Sequence, residues 1–298
     1  MANSDDIWFE RRGRAGVITL AKPETLNAVT DAMLTAIVCN LDDWENDPVV
    51  ERVIIKAVEG RAFSAGGDIR HLYERGVAGE YDFDFFAREY ALNVRIHHFP
   101  KPYIALIDGI AMGGGVGVSF HGSHTVAGDS IAFAMPECGI GFFPDVGGSY
   151  LLSRLPGHFG LYLGLTGSRI KQTDCVATGL ASHACRSKDF GALENELCSG
   201  ADLNEVLSFH SVRLGVPPYE TELPWIDDVF SAGSVEDILE QLEAVAKQNE
   251  PQASWAAKTL ETLSQKSPTS LKVAFEQIKR GANLSMADCM RMEYRILH

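Results

Sequence analysis

The sequence has little of what marks several large protein classes. Its 298 residues include 6 Cys (39, 138, 175, 185, 198 and 289), and no two of them form a C-x-x-C pair. That spacing argues against a zinc ribbon, a thioredoxin-type motif and a disulfide scaffold. The thiols read as reduced, in a reducing compartment, and with no cluster of ligands no metal is expected. The 12 Pro and 28 Gly are too few and too scattered for collagen or low-complexity sequence. No apolar run approaches the ~18–20 residues that a membrane span needs. The first residues, MANSDDIWFERRGRAG, carry neither an apolar signal core nor the Arg/Ser-rich pattern of a transit peptide. A cytoplasmic protein is expected. Positive charge is also short: 26 Lys and Arg stand against 40 Asp and Glu, a net charge of −14. Such a surface repels phosphate backbones, so no nucleic-acid partner is expected. A small anionic ligand stays compatible, because backbone N–H groups and local basic side chains outweigh the global field at short range.

What is there is an alternation of strand and helix patterns, which favours an α/β class with right-handed crossovers. Ala15–Leu20, Arg52–Val58 and Tyr103–Asp108 read as strands, the second apolar enough to be covered on both faces. Asp31–Glu45 has apolar residues at helical spacing (Met33, Ile37, Leu41, Trp44), and Ile69–Arg75, Tyr81–His97 and the Gly-rich Gly113–His121 also read as helices. At 298 residues the chain has room for one large domain or two modest ones. The texture changes near Val216: PPYETELPW (217–225) reads as a linker, followed by helical periodicity over Val235–Gln248, Ala253–Ser264 and Ser270–Arg280. The expected organisation is a core of residues 1–215 and a helical region of residues 216–298. The last residues, Met292–His298, fall inside a helix-like pattern.

Several motifs fail on inspection. There is no G-x-x-x-x-G-K-[ST], and Gly113–Gly117 misses G-x-G-x-x-G because Val118 stands where the last Gly belongs. His121-x-x-His124 lacks the Glu and the third ligand of a zinc helix and reads as two partly exposed histidines at a helix end. Ala62–Gly66 (AFSAG) is one residue from the G-x-S-x-G nucleophile elbow. Its Ser64 lacks a base in a strand-end context, His183 and His210 being the only candidates, and reads as a loop residue.

Three segments share one chemical logic. In Arg61–Arg70 (RAFSAGGDIR) a strand runs into small residues and then a helix with Asp68 near its start. In Asp108–Ser119 (DGIAMGGGVGVS) three consecutive Gly follow a strand. Each alone is also an ordinary turn or a close helix contact; together they can aim two N–H donors at one oxygen, which is an oxyanion hole. In Ala134–Gly148 (AMPECGIGFFPDVGG) Glu137 and Asp145 stand eight residues apart among Met135, Ile140, Phe142, Phe143 and Val146. Carboxylates in apolar surroundings have raised pKa values, which suits proton transfer near neutral pH.

RAFSAGGDI, DGIAMGGGVG and MPECGIGFFPDVGGSYLLSRLPG, in that order, resemble the crotonase (enoyl-CoA hydratase/isomerase) superfamily, from about Gly13 to Ala184. FFAREYALN (85–93), FPDVGGSY and the tail ADCMRMEYRIL are most similar to its 3-hydroxyisobutyryl-CoA hydrolase branch, whose chains continue further at this end. The resemblance implies a spiral of ββα units with a helical C-terminal region, often assembled as trimers or dimers of trimers. It implies oxyanion donors at Gly67 and Gly114, and a CoA-thioester loop at Gly67, Asp68, Ile69 and Arg70. Of the two catalytic glutamates of hydratases, one matches Glu137 and the other falls on Gly117, which moves no proton.

The activity so implied is hydrolysis of a short, branched 3-hydroxyacyl-CoA thioester, in the manner of valine breakdown. Glu137 would attack the carbonyl or activate water, Asp145 would bind the 3-hydroxyl or assist proton transfer, and Glu89 would position that hydroxyl or polarise the site. No cofactor is implied beyond the coenzyme A of the substrate. Three alternatives stay open: a hydratase or isomerase using Glu137 with Asp145, an acyl-CoA-binding protein without turnover, and an α/β-hydrolase using Ser64.

Overall fold

The computed structural model describes residues 5–79 and 83–298, without the side chains of residues 70–72. In chain order its elements are β1 (Ile7–Arg12), β2 (Ala15–Leu20), α1 (Asp31–Asn46), β3 (Arg52–Ala57), β4 (Ala62–Ser64), α2 (Ile69–Val77), α3 (Phe83–His97), β5 (Tyr103–Ile107), β6 (Ile110–Met112), α4 (Gly114–Gly117), β7 (His124–Ala127), β8 (Ala132–Ala134), α5 (Gly148–Leu152), α6 (Phe159–Thr166), α7 (Gln172–Ala177), β9 (His183–Ala184), α8 (Phe190–Ser199), α9 (Leu203–His210), α10 (Leu223–Phe230), α11 (Val235–Ala246), α12 (Ala253–Ser264), α13 (Pro268–Gly281) and α14 (Met286–Leu297). They form two compact units, Met1–Phe133 with Ile170–Gly215, and Ala134–Arg169 with Val216–His298.

The first unit is built on a six-stranded sheet in the order β1-β2-β3-β5-β7-β9, parallel except for β1. The inner strands β2, β3 and β5 are runs of apolar, largely β-branched residues, as a sheet covered on both faces requires. At the edge β1 alternates instead, with Ile7 and Phe9 buried and Trp8 and Glu10 exposed. Helices α8 and α9 lay Leu193, Leu197, Val206 and Leu207 on Val17, Ile54, Ile104 and Leu106. On α8 the buried Glu194 accepts from Lys56 Nζ at 2.6 Å and from Arg12, tying that helix to β3 and β1. Trp44 of α1 lies so close to β2 that a Cβ on Gly16 would stand 2.4 Å from its ring.

A second sheet, β4-β6-β8, sets up the site. Strands β4 and β6 are parallel, with Ala62 opposite Ile110 and Ser64 opposite Ala111. The loops that follow them therefore leave from the same end.

The second unit is helical. All eight residues of α6 are buried. Its approach to α5 requires glycine: a Cβ on Gly160 would stand 1.8 Å from the Leu152 carbonyl oxygen. Gly164 of α6 faces Ile278 of α13, and Gly281 at the end of α13 faces the Ser149 carbonyl of α5. Tyr162 packs on Phe159, Tyr219 and Phe230.

Two local expectations need correction. The stretch 217–225 is not all linker, because α10 begins at Leu223 with Pro224 in its first turn, where a missing N–H costs no hydrogen bond. Of Gly113–His121 only Gly114–Gly117 is helical; three of those four residues are Gly, the poorest helix former after Pro. The helix expected at Tyr81–His97 is described from Phe83, and Tyr81 and Asp82 lie outside the described residues. No described helix is long and apolar enough to cross a membrane.

Candidate active site

In the first unit, β4 delivers the loop Ala65–Asp68 and two buried side chains brace it. Ser64 Oγ donates to the Asn27 carbonyl at 2.8 Å and accepts the Gly66 N–H at 3.3 Å. Asn27 Nδ2 donates to the Ala62 carbonyl at 3.0 Å. Ser64 is thus a fully buried strut whose hydroxyl proton is committed to a carbonyl, which sets aside its reading as a nucleophile. Gly66 has φ +114, a conformation that L side chains rarely adopt. Its carbonyl accepts the Val29 N–H at 2.8 Å, and the Asp68 N–H donates to the Val29 carbonyl at 3.3 Å. These bonds pin the residues on either side of Gly67 and leave its own N–H out of the pairing.

The loop after β6 turns through Gly113, at φ +48, into α4. A Cβ on Gly114 would stand 3.2 Å from the Gly67 nitrogen and 2.5 Å from Glu89 Oε1. A Cβ on Gly66 would stand 3.5 Å from the Gly114 nitrogen. Gly67, Gly114 and the Glu89 carboxylate thus come together from two loops and from α3. Among the described residues, neither the Gly67 nor the Gly114 N–H donates to a backbone carbonyl. Two uncommitted donors beside a surface without Cβ atoms are the geometry an oxyanion needs. Glu89 is buried on the inner face of α3 with Phe85 and Tyr90. Asp68 is half-buried and Ile69, the first residue of α2, is exposed. The Arg70 side chain lies outside the described residues.

In the second unit, the chain leaves β8 through Met135 and Pro136 into a 3-10 turn, Glu137–Ile140. Glu137 is 7 % exposed, and its Oε2 is buried without a hydrogen-bond partner. Burial pushes its pKa well above the usual carboxylate range, and Asp145 and Glu293 add to the push by repulsion. Asp145 is buried at the head of a turn in which Val146 (φ +48) and Gly147 (φ +85) are both left-handed. Phe142 and Phe143, which precede it in the chain, stack on each other at 4.4 Å. Glu137 and Asp145 are therefore brought within electrostatic reach of each other.

Sequence reasoning missed Glu293, which belongs to this buried carboxylate group. Its signal is positional: with Met286, Cys289 and Met290 it completes the i, i+3, i+4, i+7 stripe that α14 buries. The histidine pair also differs from expectation. His121 is buried beyond α4 and His124 opens β7, so the two do not share a helix.

The sequence profile of the enoyl-CoA hydratase/isomerase family matches residues 15–298. A mitochondrial 3-hydroxyisobutyryl-CoA hydrolase of Xenopus tropicalis is 46% identical over 297 residues, covering 96% of this chain and 76% of that protein. The chain belongs to the enoyl-CoA hydratase/isomerase family. Among solved structures, a carnitinyl-CoA dehydratase from Mycobacterium thermoresistibile superposes with a TM-score of 0.92 at 36% identity, covering 98% of this chain and 85% of that one. An enoyl-CoA hydratase from Rhodobacter sphaeroides gives a TM-score of 0.88 at 39% identity, covering 97% and 83%. The crotonase fold expected from the sequence is the fold of this protein. Helix α4 buries Gly114, Gly115, Val116 and Gly117 and so carries no acidic side chain.

Proposed function

We propose that this protein hydrolyses a short, branched 3-hydroxyacyl-CoA thioester, of the 3-hydroxyisobutyryl-CoA kind, to the free acid and CoA. The observation that carries the reading is Glu137, a buried carboxylate with one oxygen uncommitted and its pKa pushed well above the usual carboxylate range by burial, in a chain whose Gly-rich helix lacks a second acid. Ionised, Glu137 takes a proton from water as the water oxygen attacks the thioester carbon. The carbonyl oxygen becomes an oxyanion held by the N–H groups of Gly67 and Gly114, each such donor being worth about 3 kcal/mol of barrier. The C–S bond then breaks, and the CoA sulfur recovers the proton from Glu137. Direct attack by Glu137, forming an anhydride that water opens, passes through the same oxyanion. Asp145 and Glu89 hold or polarise the 3-hydroxyl; a buried carboxylate matched to a hydroxyl penalises an analogue that lacks it. The CoA runs along Gly67, Asp68, Ile69 and Arg70. No cofactor enters this reaction, and valine breakdown is a pathway whose intermediate fits it.

The dehydratase and hydratase names of the two superposed proteins favour a second reading, water addition or double-bond isomerisation with Glu137 and Asp145 as the proton pair. One assay separates them. The protein is incubated with 3-hydroxyisobutyryl-CoA and, separately, with crotonyl-CoA, while free thiol and enoyl absorbance are followed. Thiol release from the hydroxy ester with crotonyl-CoA untouched is the expected result. Loss of enoyl absorbance without thiol would establish the second reading. Tight binding without turnover of either ester would reduce the protein to an acyl-CoA binder. Glu137→Gln removes the base and lowers kcat by roughly 100-fold or more, with acyl-CoA binding retained; near-normal turnover would end its assigned role.

The cytoplasmic location and a homotrimeric or hexameric assembly stand as further proposals. The Xenopus relative is mitochondrial by name, so cell fractionation decides the first, and light-scattering mass the second.

A further inference from the structure

Among Met286, Cys289, Met290 and Glu293, which α14 turns inward, Glu293 is the only carboxylate, and it is fully buried. A carboxylate in such a place is costly unless it is well hydrogen-bonded. Both Glu293 oxygens are engaged. The Gly147 N–H donates to Oε2 at 2.9 Å and the Ser149 N–H to Oε1 at 3.0 Å, and the Ser149 hydroxyl donates to Oε1 as well. All three donors lie in the turn that follows Asp145.

That turn needs holding. Val146 is β-branched and buried, yet sits at φ +48, with Gly147 at φ +85 after it. A β-branched residue in this region is an outlier that persists only when its surroundings fix it. The turn closes on itself through the Gly148 N–H, which donates to the Asp145 carbonyl at 2.7 Å. From α13, Gln277 Nε2 donates to the Pro144 carbonyl at 2.6 Å on the other side of Asp145. The chain is gripped just before and just after the carboxylate.

We propose that Glu293 is a positioning residue: from the last helix its carboxylate clamps the turn Asp145–Ser149 and so fixes the stance of the Asp145 carboxylate toward Glu137. The role rests on the hydrolase reading and extends it to a residue that touches no substrate. The ionisable groups around Glu293 are Asp145 and Glu137 from the segment before α5 and Cys289 on its own helix. Arg154, past the end of α5, is engaged with the Gly281 and Leu284 carbonyls, and α13 presents the neutral Gln277. Burial and Asp145 push the Glu293 pKa up to about 8 against the pull of its donors.

The test uses the full chain in four forms: wild type, Glu293→Gln, Glu293→Asp and Ser149→Ala. Thiol release from 3-hydroxyisobutyryl-CoA gives kcat and KM. Carboxyl carbon NMR gives the titration midpoint of Glu137 without need of turnover, its resonance assigned by Glu137→Gln. Glu293→Gln presents an amide NH2 to backbone donors, loses the clamp and lowers kcat roughly tenfold or more, with KM within about threefold. The Glu137 midpoint falls, because Asp145, whose charge raises it, is no longer held in place by the clamped turn. Glu293→Asp restores part of both. Should Glu293→Gln not fold, Ser149→Ala removes one donor of three and moves kcat and midpoint in the same directions by less. A folded Glu293→Gln with both quantities at wild-type values overturns the proposal; so does Ser149→Ala with both unchanged, when it is the variant that must be used. If wild type releases no thiol but the midpoint falls in Glu293→Gln and recovers in Glu293→Asp, the clamp stands and the hydrolase reading falls. If wild type hydrolyses and the variants alter neither quantity, the reverse holds.

Discussion

At Gly114 the absence of one carbon atom is what lets three groups meet. An alanine Cβ there would stand 2.5 Å from Glu89 Oε1 and 3.2 Å from the Gly67 nitrogen, the first closer than any real Cβ contact. The Glu89 carboxylate must swing away and the backbone at Gly67 must give by a few tenths of an ångström, and the second shift misaligns the pair of N–H donors. Gly114→Ala is therefore expected to lower kcat for thioester hydrolysis roughly 100-fold, the cost of a misplaced oxyanion donor, while circular dichroism stays that of the folded chain. Wild-type kcat in this variant would remove the Gly114 N–H from the mechanism. The glycines and the Glu137–Asp145 pair are legible because each belongs to a short local pattern, bare backbone after a strand or an acid among apolar residues. Glu89 and Glu293 reach their places from separate helices. No local spacing announces Glu89, which enters from the sequence only through family resemblance. The clue to Glu293 is a charge on an otherwise apolar stripe.

The long elements were legible where one physical signal dominates. Short apolar runs rich in Val, Ile and Leu give β2, β3 and β5, and the 3.6-residue period gives α1, α12 and α13 within a few residues. Helix α6 has no such signal: FGLYLGLT is apolar on all sides, because the whole helix is enclosed, and amphipathicity has nothing to contrast. For the same reason the sequence shows no hint that Ala134–Arg169 folds with the C-terminal helices rather than with the sheet that precedes it. What holds α6 there is a contact that propensity scales count against, a glycine in its first turn, Gly160. The Cβ of Gly160→Ala would have to stand 1.8 Å from the Leu152 carbonyl oxygen, a backbone atom that cannot swing aside. Although Ala is the better helix former, overpacking decides the sign, and the substitution is expected to destabilise the protein by about 3 kcal/mol. Urea unfolding measures it; an unchanged midpoint would mean that α5 and α6 separate at no cost.

Over the whole molecule, the buried acids of the second unit make stability depend on pH in a direction opposite to that of ordinary ion-paired carboxylates. Glu293 is raised from 4.5 to about 8 by burial, and Glu137 is raised for the same reason. Between those values the folded chain keeps a proton that the unfolded chain releases. The unfolded state thus binds fewer protons, and stability falls as pH rises, by about 1.4 kcal/mol per pH unit for each proton so held. The contribution is intact below about pH 4.5, declines up to about pH 8 and is fully lost above it. The net charge of −14 adds a repulsion of the same sign, so the wild-type curve alone does not identify the residue. The comparison does: Glu293→Gln carries no proton to lose, and its melting temperature should fall less steeply from pH 5 to pH 9 than that of the wild type. Glu137→Gln should flatten the curve in the same sense. Parallel curves for wild type and Glu293→Gln would show Glu293 ionised across the whole range, its three donors outweighing burial, and the carboxylate would then hold the turn after Asp145 as a permanent charge.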